Sequence, residues 1–196
     1  MKKIYLLLFT FALSINANAQ DKVVLKQTFI KVKPGNNYAE DLKTKFGKIA
    51  QKRIDAGYQE AWHLWEVVDN PQAPFTHLIV EPVLISQMEK EWNREDWLKM
   101  RNEAIPGMTD SDWQAFMKGV RNKRDIVAEA MFVTVTDVKR DNDINLPTNV
   151  GVINWMKVKE GKFKTYENME KALYSNGLNK AGLRAGWSLG KRIDKY

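Results

Sequence analysis

The stretch Ala56-Gly57-Tyr58-Gln59-Glu60-Ala61-Trp62-His63-Leu64-Trp65 decides the fold. It follows a segment in which Tyr38, Leu42, Phe46 and Ile49 recur at spacings of four, four and three, the stripe of an amphipathic helix. Gly57 stands where such a helix ends, because glycine takes the left-handed conformation of a helix C-terminus without a Cβ penalty. Beyond it, Trp62 and Leu64 alternate with His63 and Trp65, so each pair shares one face of a strand. Upstream, Val23 to Lys33 is β-branched and partly alternating, a strand that Pro34-Gly35-Asn36 breaks. Asn37, with Glu40 three residues on, is a candidate capping box for the helix.

Working outward, the second strand is expected over Tyr58 to Val68, and "DNPQAP" reads as a loop. A third strand follows at Thr76 to Val83, and a helix over residues 87–105 with Trp97, Met100 and Ala104 on one side. Pro106-Gly107 breaks it. Ser111 with Gln114 supplies a capping box for a helix reaching Asn122, and Ile126 to Val138 makes a fourth strand. The order β-α-β-β-α-β predicts an α+β, ferredoxin-like unit with an antiparallel sheet and helices on one face. A polar linker then spans 139–149. The order restarts with a strand over 150–159, a helix from Phe163 to Ala181 with Tyr166, Met169 and Leu173 inward, and a strand from Ala185 to Ile193. The expected organisation is a leader at 1–19, a first α+β unit at 20–138, the linker, and a second, incomplete βαβ unit at 150–196.

This restart carries a repeated phrase. Lys31-Val32-Lys33-Pro34-Gly35 matches Lys157-Val158-Lys159-Glu160-Gly161 at four of five positions, at an offset of 126. Ala56-Gly57 and Trp62-x-Leu64 match Ala181-Gly182 and Trp187-x-Leu189, at an offset of 125. Two matches in one order at nearly one offset, each at the same structural junction, indicate a duplication. The second copy stops at Tyr196 after three elements, which leaves a truncated chain, or completion of the half-sheet against the first unit or another subunit.

With the βαββαβ order, the "KVKPG" and "KVKEG" strand exits and the glycine-stopped helices in place, the chain resembles the dimeric α+β barrel superfamily. The group includes antibiotic-biosynthesis-type monooxygenases and NIPSNAP-like and stress-response domains. The resemblance implies two ferredoxin-like units packed sheet to sheet, within one tandem chain or as a homodimer, around a cavity. Within that group some members are cofactor-free oxygenases and some handle haem. No catalytic motif aligns, so no functional residue carries over.

The first residues, MKKIYLLLFTFALSINANAQ, give a positive start at Lys2-Lys3 and ten apolar or neutral residues from Ile4 to Leu13, too few to span a bilayer. Ala17-Asn18-Ala19 supplies the small-x-small pattern of a signal peptidase site, so the protein is expected to be exported, periplasmic or extracellular, after cleavage before Gln20. No cysteine is present, so neither disulfides nor a lipid-bearing thiol is available. Seven tryptophans and 44% hydrophobic residues favour a packed globule over disorder. The formal charge of +7 is spread among interleaved acids, and its densest run, Arg121 to Asp125, lies at a helix end where cations suit the helix dipole. Neither nucleic acid nor, after leader removal, a membrane is an expected partner.

The chemistry on offer is sparse. There is no glycine-rich phosphate loop, no G-x-S-x-G and no metal-spaced His/Cys cluster. Asp141 to Asn145 opens like a calcium loop but lacks the glycine and glutamate that would complete one, and Asp110 and Asp112 belong to a helix cap. The two histidines, His63 and His77, stand out. If their faces line one interior, His63, Trp65, His77 and Glu81 meet in a pocket where a neutral imidazole beside a carboxylate could take a proton from an aromatic substrate or ligate haem iron. Ser188 occupies the position of His63 in the second copy. Phe29 and Trp155 correspond across the repeat and offer aromatic walls for a flat apolar ligand. The sequence thus points to a binding or interaction module for a small apolar ligand, without metal or cofactor. The alternative is a cofactor-independent monooxygenase-like or haem-handling protein.

Overall fold

A computed structural model describes residues 22–68, 72–139, 151–173 and 186–194. The leader, the linker beyond Lys139 and the second Ala-Gly repeat lie outside the described residues. So does the part of the expected 163–181 helix past Leu173.

Strand β1 (Val23–Val32) leads into a continuous helical segment, α1. It joins an α-helical turn Tyr38–Asp41, a π-helical turn Leu42–Phe46 and an α-helix Gly47–Asp55. Next come β2 (His63–Glu66), β3 (His77–Leu84), the short turn α2 (Ile85–Met88), α3 (Arg94–Ala104), α4 (Asp110–Lys123) and β4 (Arg124–Lys139). Helix α5 (Phe163–Leu173) and strand β5 (Gly186–Arg192) complete the described elements. The strands form one open antiparallel sheet in the order β2-β3-β1-β4-β5. This is an α+β fold compatible with the ferredoxin-like type, with β5 added outside β4.

Strand β1 lies at the centre, pairing with β3 on one side and β4 on the other, so its alternation sets both faces. Ile30 points to the helices and, with Tyr38, Leu42 and Val120, forms a cluster at 1–2% exposure, against which Val32, Trp62, Leu64 and Ile79 pack. Phe29 points the other way, into a cluster with Leu78, Val80 and Ala130 that Leu25, Trp65, Phe75 and Phe132 flank. A third cluster of Ile49, Ala104 and Trp113 ties α1 to α3 and α4. The predicted stripe on α1 holds: Tyr38, Leu42, Phe46 and Ile49 all pack inward, the π turn spanning the step of four from Leu42 to Phe46 and the α-helix after it the step of three to Ile49.

Local chemistry explains where predicted bounds shift. Asn37 caps α1 through its side-chain oxygen, which accepts from the Glu40 amide at 3.4 Å. Gly57, at φ +69°, ends it in a Schellman arrangement: the Gly57 amide donates to the Ile54 carbonyl and the Tyr58 amide to that of Arg53, both at 2.9 Å. The Tyr58 amide is thus taken by the helix end, and β2 is shorter than the expected Tyr58–Val68, with the Glu60 and Val67 amides bonding to the Pro82 and Thr76 carbonyls on either side of it. The box on α4 is Thr109 with Asp112, two residues earlier than Ser111 with Gln114, since Thr109 is the residue left in extended backbone.

The expected strand over 150–159 is not formed. Gly151 to Lys159 makes no ladder with any of the five strands. This segment instead crosses the helix-free face: Gly151 lies against the Trp65 indole and Trp155 against Phe29. The surface expected to meet a second sheet is therefore crossed by the chain's own 151–159 strap. On α5, Met169 and Leu173 face solvent at 53% exposure rather than inward. The helix turns its Glu167 in instead, bonded by Lys164 at 3.1 Å and Lys171 at 2.6 Å, which hold that carboxyl below the usual range.

Candidate functional site

The antiparallel register assigns every candidate residue to a face. His63 pairs with Val80, Val80 with Gln27, and Gln27 with Ala130, so these four form one row on the helix-free side. The next row is Trp65, Leu78, Phe29 and Ala128. His63 and Trp65 are neighbours, with ring centroids 6.5 Å apart. Glu66 pairs with His77 and Leu64 with Ile79, on the opposite, helix-covered side.

His63 and Trp65 thus lie on one side of the sheet, His77 and Glu81 on the other. Each pair shares a face, as alternation requires, but the structure does not bring the four together. The relative phase of β2 and β3 decides this, and the loop joining them sets that phase. The loop is fixed by the Val67 amide donating to the Thr76 carbonyl, the Thr76 amide to the Ile30 carbonyl and the Lys31 ammonium to the Ala73 carbonyl.

His77 is buried and its ring stands edge-on to Tyr38 at 6.5 Å. The Thr76 hydroxyl donates to the Ile30 carbonyl at 3.2 Å, so its lone pairs are what His77 Nδ1 can meet, at 3.0 Å. That assigns the proton to Nδ1. Burial lowers the His77 pKa, opposed by the Glu66 carboxylate and reinforced by Lys43. Glu81 accepts a hydrogen bond from Arg53 Nη1 at 2.9 Å, tying β3 to α1, and the Arg53 guanidinium also lies over the Trp92 ring. Both residues are built into the contact between sheet and helices.

The helix-free face carries the aromatic array. Phe29 meets Phe75 at 5.0 Å and Trp155 at 5.3 Å, and Phe75 meets Trp155 at 5.9 Å, all edge to face. The structure therefore brings Phe29 and Trp155 into contact, with Trp65 and His63 beside them. Trp155 is 48% exposed, so much of its indole remains open. Such rings suit a planar apolar partner, through burial of large areas and through stacking.

Two members of this face escaped the sequence reading. Phe75 follows a loop and belongs to no alternating run, so nothing flagged it. Gln27 had a signal: Leu25-x-Gln27-x-Phe29 places one polar residue in an otherwise apolar row of the central strand. It is 8% exposed, and its Oε1 is buried without a hydrogen-bond partner. Compared with protein-family models, curated proteins and solved structures, the chain matches none of them.

Proposed function

We propose that the protein is a binding module that holds a small, flat, apolar ligand against the helix-free face of its sheet, alongside the 151–159 strap. The observation that carries this reading is the Phe29–Phe75–Trp155 array, with Trp65 next to it and Trp155 half open. The open part of the Trp155 indole is the surface this array offers to a further planar group. The experiment is a fluorescence titration of the full chain with N-phenyl-1-naphthylamine, an uncharged planar reporter. Saturable one-to-one binding, weakened about tenfold by Trp155→Ala, is expected from loss of one aromatic contact. Absence of saturation, or indifference to the substitution, counts against it.

The reading extends to the whole chain as a duplicated unit of the dimeric α+β barrel type. Its support is local. Gly35 and Gly161 both take left-handed backbone, at φ +77° and +71°, and each is the third residue of the same kind of turn, closed by Asn36 N to Lys33 O and by Lys162 N to Lys159 O. A helix and then a strand follow in both copies. Phe29 also touches its own counterpart Trp155, as residues near an axis relating two copies do. We place the protein outside the cytoplasm on the strength of its first residues. N-terminal sequencing of the secreted material tests this, with Gln20 expected first and an intact Met1 contradicting export. Among the described residues no helix is long and apolar enough to cross a membrane.

A further inference from the structure

We infer that Gln27 is the polar anchor of this face, its amide oxygen accepting a hydrogen bond from a hydroxyl or N–H of the ligand. The inference rests on the ligand-binding reading above and narrows the ligand to a planar apolar molecule bearing a donor, of the hydroxy- or amino-arene class.

A buried carbonyl oxygen left without a donor destabilises a fold, so such groups in native proteins are rare and have a reason. Gln27 sits on the central strand, nine-tenths buried, with Val80 and Ala130 as its cross-strand neighbours and Phe29 two residues along the same face. None of these three side chains can donate. The other orphaned polar atoms among the described residues lie elsewhere. Gln59 Oε1 is on the α1 side, where its amide nitrogen reaches the Ala50 carbonyl at 3.4 Å. Arg53 Nε belongs to a guanidinium already paired with Glu81, and Arg124 Nε to one lying over Tyr38. Gln27 is the orphan acceptor that shares a face with the aromatic array.

A ligand lying on the sheet beside the Phe29–Trp155 pair would have its edge within one residue pair of Gln27, about 7 Å along the strand. Across the same row, His63 stands two strands away, about 10 Å. A fused bicyclic ring bridges the first distance, which places its substituent at the amide oxygen.

The test compares 2-naphthol with 2-methoxynaphthalene, which share a ring system but differ in the donor. Both are titrated into the full chain by isothermal calorimetry. Burial alone favours the methoxy compound, the more apolar of the two. Expected for the wild type is about tenfold tighter binding of 2-naphthol, the size of one net hydrogen bond. Gln27→Leu should erase the preference while leaving 2-methoxynaphthalene affinity within twofold. Gln27→Met, closer in volume, should do the same and guards against a packing defect in the first variant. Equal affinities in the wild type, or a preference that survives both substitutions, would overturn the anchor role while leaving the aromatic face in place. Failure of both naphthalenes to bind the wild type would overturn the ligand-binding reading and the anchor role with it.

Discussion

Phe29 and Trp155, separated by most of the chain, meet edge to face at 5.3 Å on the side of the sheet that carries no helices. This contact joins the central strand to the strap that crosses it, and it gives the helix-free face its aromatic character. The charges and backbone turns around that face support the arrangement and can each be tested.

Gln27 in the ligand-free protein holds a desolvated acceptor with nothing to accept from. Replacing it by leucine removes that cost and adds apolar area to the Phe29 cluster. Urea denaturation of Gln27→Leu should show a gain of about 1 kcal/mol. A loss of similar size would mean that the amide is satisfied in the folded protein.

The lowered pKa of His77 sets a pH dependence. The folded protein resists protonating a ring whose ordinary value is 6.5. Above that pH both folded and unfolded states hold the ring neutral, and the residue contributes no slope. Below it the unfolded chain takes up the proton first, so stability falls as pH drops toward the folded value. His77→Phe should unfold with a flatter pH profile as the pH falls below 6.5 and should run parallel to wild type above it. Parallel profiles throughout would show that His77 titrates normally.

Gly35 and Gly161 have left-handed backbone, and a Cβ added at either would meet nothing within 4 Å. The cost of alanine is then purely conformational at both. Each of Gly35→Ala and Gly161→Ala should lose about 1 kcal/mol by denaturation, and the double variant about the sum. Unequal costs would mean that the two turns are not equivalent, which counts against duplication.

How far the sequence disclosed this structure depends on the range of the interactions involved. The α1 stripe, the Gly57 stop and the face-sharing of Trp62 with Leu64 rest on contacts within one or two turns, and all were legible. The βαββαβ order was legible for the same reason. The strand expected at 150–159 is not formed, because apolar composition cannot say whether a segment pairs with a sheet edge or packs across a sheet face, as Gly151 and Trp155 do on Trp65 and Phe29. The shared pocket of His63 and His77 failed on strand phase, which the β2–β3 loop sets through hydrogen bonds to β1. The repeat offsets present Phe29 and Trp155 as equivalent walls. Their direct contact depends on the strap crossing the face, which no local pattern encodes.

The most direct test of the ligand-binding face is an amide and aromatic chemical-shift map of the full chain with N-phenyl-1-naphthylamine. Saturable shifts clustered at Gln27, Phe29, Trp65, Phe75 and Trp155, with Tyr38 and Val120 on the helix side unmoved, are the predicted result. Shifts concentrated in α1, α3 and α4, or none that saturate, would contradict it.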